Sequence, residues 1–99
     1  MTHRRAILLF HKKFEYADGD IVEAKAWAVA PSPAKPEGIK YSLVYIGKDG
    51  TRILGYDNAE GKGHHQHLGA RESPSEFISL ERLIERFTRE VAHLRRRMT

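Results

Sequence analysis

Apolar and polar residues alternate in four stretches of the first 58 positions: Ala6 to Tyr16, Ile21 to Ala30, Ile39 to Gly47 and Thr51 to Asn58. A period of two is the signature of an extended strand. The first two stretches flank ADGD and the last two flank KDG. Asp18-Gly19 and Gly50 supply the tolerance for positive φ that a tight hairpin turn needs. Two antiparallel pairs are therefore predicted. The segment between them, PSPAKPEG, carries three prolines that cannot donate to a ladder, so it reads as a loop at a sheet end.

The period changes in the last third of the chain. From Leu80 the apolar residues are Leu83, Ile84, Phe87, Val91 and Leu94, which lie along one stripe of an α-helix, with Arg82, Glu85, Arg86, Arg89 and Glu90 on the wet side. Ser79 is the expected N-cap, with Ile78 and Leu83 at the two positions of a hydrophobic staple. Glu81 and the Arg95 to Arg97 run suit the two ends of the helix dipole, and the arginine run is read as dipole compensation and solubility rather than as a nucleic-acid contact. The predicted fold is a single α+β domain over residues 1–99: an antiparallel four-stranded β-meander with a C-terminal amphipathic helix packed on one face.

Neither face of that sheet is plainly polar at its centre. Ile39, Tyr41, Leu43 and Tyr45 share one side of the third strand, and Lys40, Ser42, Val44 and Ile46 share the other. One helix, roughly 10 Å wide, covers one side only. The open face then calls for a lid, either a second copy in a homodimer or a different protein.

Composition narrows the chemistry. At 99 residues and 40% hydrophobic content the chain is one domain with one modest core. The apolar run Ala6 to Phe10 is too short for an export signal, and no segment reaches the roughly 18 apolar residues of a membrane span. A soluble cytoplasmic protein without membrane contact is expected. Cysteine is absent, so disulfides, thiolate nucleophiles and Cys-ligated zinc are excluded. A net charge of +4 and a pI near 9.6 favour an anionic partner.

The stretch YDNAEGKGHHQHLG, Tyr56 to Gly69, gathers three of the six histidines behind a glycine-flanked lysine. On an extended backbone His65 and His67 project from one face and His64 from the other. Two imidazoles on one face can bind a metal, with Asp57, His11 or Glu60 as further ligands, though no second ligand motif announces itself. They can also serve metal-free cleavage of an RNA phosphodiester, which needs a base for the 2′-hydroxyl, an acid for the leaving oxygen and a cation for the phosphate. Lys62 would supply the cation, and Gly61 and Gly63 would let backbone N–H groups approach phosphate. Against both stands a solvated polar loop whose histidines only hydrogen-bond. Tyr41, Tyr45, Tyr56 and Trp27 read first as packing residues, Asp57-Asn58 as an Asx-type turn, and His3 and His93 as surface.

The segments GIKYSLVY, Gly38 to Tyr45, and GYDNAEGKGHHQH, Gly55 to His67, resemble the TumE family of small toxins from prokaryotic toxin–antitoxin modules. The likeness runs from about Glu15 to Val91. Tyr56, Asp57, Asn58, Gly61, Lys62, Gly63, His65 and His67 match the family's loop pattern, and His64 stands where an aspartate is common. The resemblance implies a toxin sequestered by a helix-turn-helix antitoxin and acting on RNA or translation.

Taken together, His65 and His67 are the expected acid/base pair, Lys62 the phosphate cation and Asp57 the residue that orients an imidazole. Gly61, Gly63, His64 and Tyr56 are the expected substrate contacts, with no metal and no organic cofactor. Alanine at His65 or His67 is expected to abolish toxicity and leave the melting temperature almost unchanged. The competing readings are a non-enzymatic module that binds protein through the open sheet face or metal through the histidines, and an RNA-binding protein without cleavage.

Overall fold

The computed structural model describes residues 6–59 and 63–97. Six strands form one antiparallel sheet in sequence order: β1 (Ile7–Glu15), β2 (Ile21–Ala28), β3 (Ile39–Ile46), β4 (Arg52–Asp57), β5 (His65–Leu68) and β6 (Arg71–Pro74). A single helix, α1 (Leu80–Arg97), follows. The meander and its C-terminal helix are as the alternation predicts, but the sheet has six strands rather than four. The histidine segment supplies the fifth strand rather than a loop beyond the sheet, and the chain turns at Gly69 (φ 59°) into the sixth, Arg71–Pro74.

The predicted hairpin turns form where positive φ is available, at Gly19 (φ 95°) and Gly50 (φ 87°). Leu43 opposes Tyr56 and Tyr45 opposes Leu54 across β3 and β4. These four side chains, with Tyr41 and Ala26, are essentially inaccessible to solvent. Leu83, Phe87 and Val91, spaced four apart on α1, close over them. Strand alternation then sends Ser42, Val44, Gly55, Asp57, His65 and His67 to the uncovered side.

Ser79 caps α1 as expected, its Oγ accepting from the Arg82 N–H at 3.1 Å. The staple forms differently. Ile78 is 68% exposed, and the preceding Phe77 packs on the core in its place. At the other end, Arg95 does more than compensate the dipole. Its guanidinium donates to Asp18 at 2.8 Å and Asp20 at 2.7 Å and lies 3.6 Å from the centre of the Tyr16 ring. The helix end is thereby tied to the β1–β2 turn.

Candidate active site

Asp57 ends β4 and His65 begins β5, directly opposite each other in the ladder, with His67 opposite Gly55. The cross-strand register therefore puts one carboxylate between two imidazoles. His65 Nε2 lies 3.0 Å from Asp57 Oδ1, and His67 Nε2 lies 3.0 Å from Asp57 Oδ2. The ring centres are 5.7 Å apart and the planes are steeply inclined at 72°. The expected common face of His65 and His67 holds. Their exposure is lower than a solvated loop would give, for His65 is 7% exposed and Asp57 and His67 are half-buried.

Two more side chains complete the cluster. Arg52 Nη2 is 3.0 Å from His67 Nδ1, and Glu72 Oε1 is 3.8 Å from His65 Nδ1. Arg52 lies along the sheet over Gly55, where a Cβ would stand 3.1 Å from the Arg52 Cδ. Neither residue is conspicuous in the sequence, because both depend on strand pairing. Arg52 sits fifteen positions from His67 in the chain. Beside His65 opens a shallow hollow lined by His64, His65, Glu72, Ser73 and Pro74.

The remaining expected site residues separate. Tyr56 is on the helix-covered side, fully buried, with its hydroxyl hydrogen-bonded to Glu90 and receiving the Gln66 amide at 3.0 Å. Burial first, and then the bond to Glu90, pushes the Tyr56 pKa up. A substrate contact at Tyr56 does not fit this position. His64 also turns away from the pair, as the alternation predicts, and stacks on Phe77 with ring centres 4.4 Å apart. Its Nε2 reaches Glu37 at 3.3 Å and its Nδ1 meets the Tyr41 hydroxyl at 2.7 Å. Burial, with smaller effects of Asp57 and Glu37, pushes the Tyr41 pKa up; the Glu37 carboxylate can only accept, so His64 donates from Nε2 and its Nδ1 accepts from the Tyr41 hydroxyl. The hydrogen bonds of His64 therefore brace the β5 entry.

Gly63 has φ 78° and open space where a side chain would be. Gly61, Lys62 and the alternative ligand Glu60 lie outside the described residues. His11, the other alternative ligand, is bound to Glu23 at 2.6 Å on β1, three strand positions from β4. The expected Asx turn forms at Asp57, whose Oδ1 accepts the Ala59 N–H at 3.3 Å, while Asn58, 1% exposed, holds the start of β3: its Oδ1 accepts the Tyr41 N–H at 3.0 Å and its Nδ2 donates to the Ile39 carbonyl at 2.7 Å.

One ligand atom from each of Asp57, His65 and His67 lies within 4.8 Å of the others. Such a donor set has the composition of a divalent transition-metal site. The same three groups form a carboxylate-oriented imidazole pair, which transfers protons. Fold and site thus define a small α+β protein with a His–Asp–His cluster on the uncovered face of its sheet. The chain belongs to the TumE toxin family: the family model described as Toxin TumE matches residues 3–95. No curated protein and no solved structure matches the chain.

Proposed function

We propose that this toxin acts on RNA, cleaving a phosphodiester without metal at the His–Asp–His cluster, and that a helix-turn-helix antitoxin holds it inactive in the cytoplasm. The observation that carries the reading is Asp57, whose two oxygens each meet one imidazole at 3.0 Å. A carboxylate that accepts one imidazole N–H fixes the ring and leaves the other nitrogen as a base. His67, held through Nε2, would take the 2′-hydroxyl proton at Nδ1. The 2′-oxygen attacks phosphorus, the bond from phosphorus to the 5′-oxygen breaks, and protonated His65 gives that oxygen its proton. The products are a 2′,3′-cyclic phosphate and a 5′-hydroxyl end. Lys62, between Gly61 and Gly63, is the proposed phosphate cation, and the basic balance of the chain supports an anionic substrate.

The experiment is induction of the toxin in a host lacking the antitoxin, with wild type, His65→Ala, His67→Ala and the double variant compared for growth arrest and RNA ends. Wild type should arrest growth and yield cyclic-phosphate ends in the presence of a chelator. A double variant that still arrests growth would remove the cluster from the mechanism. Cleavage lost on chelation would instead favour the metal reading that the same donor set supports.

A further inference from the structure

We infer that Arg52 is a positioning residue that locks His67 in the tautomer protonated at Nε2 and thereby keeps the Asp57, His65 and His67 cluster a proton-transfer site closed to divalent metals. A guanidinium carries five N–H donors and no acceptor. Its contact with His67 Nδ1 at 3.0 Å therefore requires a lone pair on that nitrogen. The ring's single proton must then be on Nε2, where Asp57 Oδ2 accepts it at 3.0 Å. Both contacts demand the same tautomer. A metal bound at Nε2 would need the reverse, a lone pair on Nε2 and a proton on Nδ1 aimed at an acceptor such as a carboxylate or a carbonyl. Arg52 occupies that outer position with a donor and a positive charge, so it opposes a dication twice, by hydrogen bonding and by repulsion.

The backbone leaves room for the guanidinium of the exposed Arg52 there. Gly55, directly opposite His67 in the ladder, has no side chain, and the Arg52 stem occupies the room a Cβ would take, 3.1 Å from Cδ and 3.7 Å from Nε. Glycine inside a strand weakens it unless something approaches closely, and here the approaching group is Arg52. In the reading above His67 takes the 2′-hydroxyl proton at Nδ1. Arg52 must leave that nitrogen for the proton to arrive, and an incoming phosphate is the stronger partner that would draw the guanidinium off.

Two arms test this on the full chain prepared without a histidine tag, and neither uses RNA, so they stand apart from the success or failure of RNA cleavage. In the first, long-range proton–nitrogen spectra of ring-labelled histidine report the His67 tautomer in wild type, Arg52→Lys and Arg52→Met. Wild type should show Nε2 protonated, Arg52→Lys should retain that state, and Arg52→Met should show both tautomers. In the second, Zn2+ is titrated while the His65 and His67 resonances are followed. Arg52→Met should bind Zn2+ on the order of 10- to 100-fold more tightly than wild type, the scale on which outer-sphere partners of a ligating histidine act. Gly55→Ala, which crowds the arginine stem, should fall between them. Wild-type His67 protonated at Nδ1, or equal Zn2+ affinity of wild type and Arg52→Met at His65 and His67, would overturn the assignment.

Discussion

Asp57 is half-buried and meets the Ala59 N–H as well as both imidazoles, and the two imidazoles sit at unequal depth, so the effects of losing each are unequal. His65 is 7% exposed, so His65→Ala removes a buried neighbour of Asp57 Oδ1 and opens a small void beside β6. Oδ1 keeps the Ala59 N–H, so the loss falls at the low end of the about 1–3 kcal/mol that an unpaired buried group costs. His65→Ala should therefore lower the melting temperature measurably, which departs from the near-neutral effect expected for a histidine on an open loop. His67→Ala should lower it less, because water can reach its half-buried position. Thermal denaturation of the two single variants reads the difference directly, and equal melting temperatures would contradict it. Asn58 is the sharper case. Its side chain satisfies the backbone of Tyr41 and Ile39 from a site that is 1% exposed, so Asn58→Ala should cost about 3 kcal/mol, seen as a lower denaturation midpoint with an unchanged slope. At this scale the shared face of His65 and His67 was legible, because side-chain direction along a strand depends only on parity. The clamp by Asp57, the seat of Arg52 and the bracing by Asn58 were not, since each depends on which residue stands opposite which across a ladder that local pattern does not number.

Among the elements, β5 and β6 were hidden for a compositional reason. His65–Leu68 reads HQHL and Arg71–Pro74 reads RESP, two four-residue strands with no β-branched or aromatic side chain. They pair because β4 offers an open edge, and Pro74 is tolerated because β6 is itself the outer strand. The helix was legible in both period and cap. Ser79→Ala should cost about 1 kcal/mol of stability through the lost bond to the Arg82 N–H. The opposite end of α1 makes a pH-dependent prediction. The Arg95 hydrogen bond, followed by the backbone N–H of Asp20, holds the Asp18 carboxyl below its ordinary range. A carboxyl with a depressed folded pKa contributes stability above its unfolded pKa, about 4, and loses it as pH falls through the lower folded value. In Arg95→Met the larger part of that contribution is missing, and only the Asp20 N–H bond remains. The melting temperatures of wild type and Arg95→Met should thus differ most near neutrality and draw together below about pH 4. A gap that stays constant from pH 7 to pH 3 would place the anchor in the Tyr16 stack instead of the ion pair.

Across the whole molecule, the largest exposed apolar side chains do not lie at the centre of the open sheet face. The uncovered face carries the cluster, the Glu23 pairs with His11 and Lys25, and Lys40 over the Trp27 ring at 5.6 Å. Its centre is more polar than the alternation implied. Large exposed apolar side chains gather instead on β1, where Ile7, Leu8, Leu9 and Phe14 are 49–65% exposed. Among the described residues this strand is an outer edge of the sheet, bulged at Leu9, with one side of its backbone unpaired. Lys12 and Lys13 on the same strand disfavour pairing with a second copy, which would bring lysines together, and favour an acidic partner. A toxin restrained by an antitoxin would then use separate surfaces for restraint and chemistry. Leu8→Ser with Leu9→Ser removes exposed apolar area but little core, so the fold should change by less than about 1 kcal/mol. Growth arrest by this double variant should persist, and co-expressed antitoxin should no longer relieve it or copurify with it. His67→Ala should do the reverse, losing arrest while copurification with antitoxin remains. Full relief of the Leu8/Leu9 variant by antitoxin would move the docking surface off β1, and loss of antitoxin binding in His67→Ala would merge the two surfaces into one.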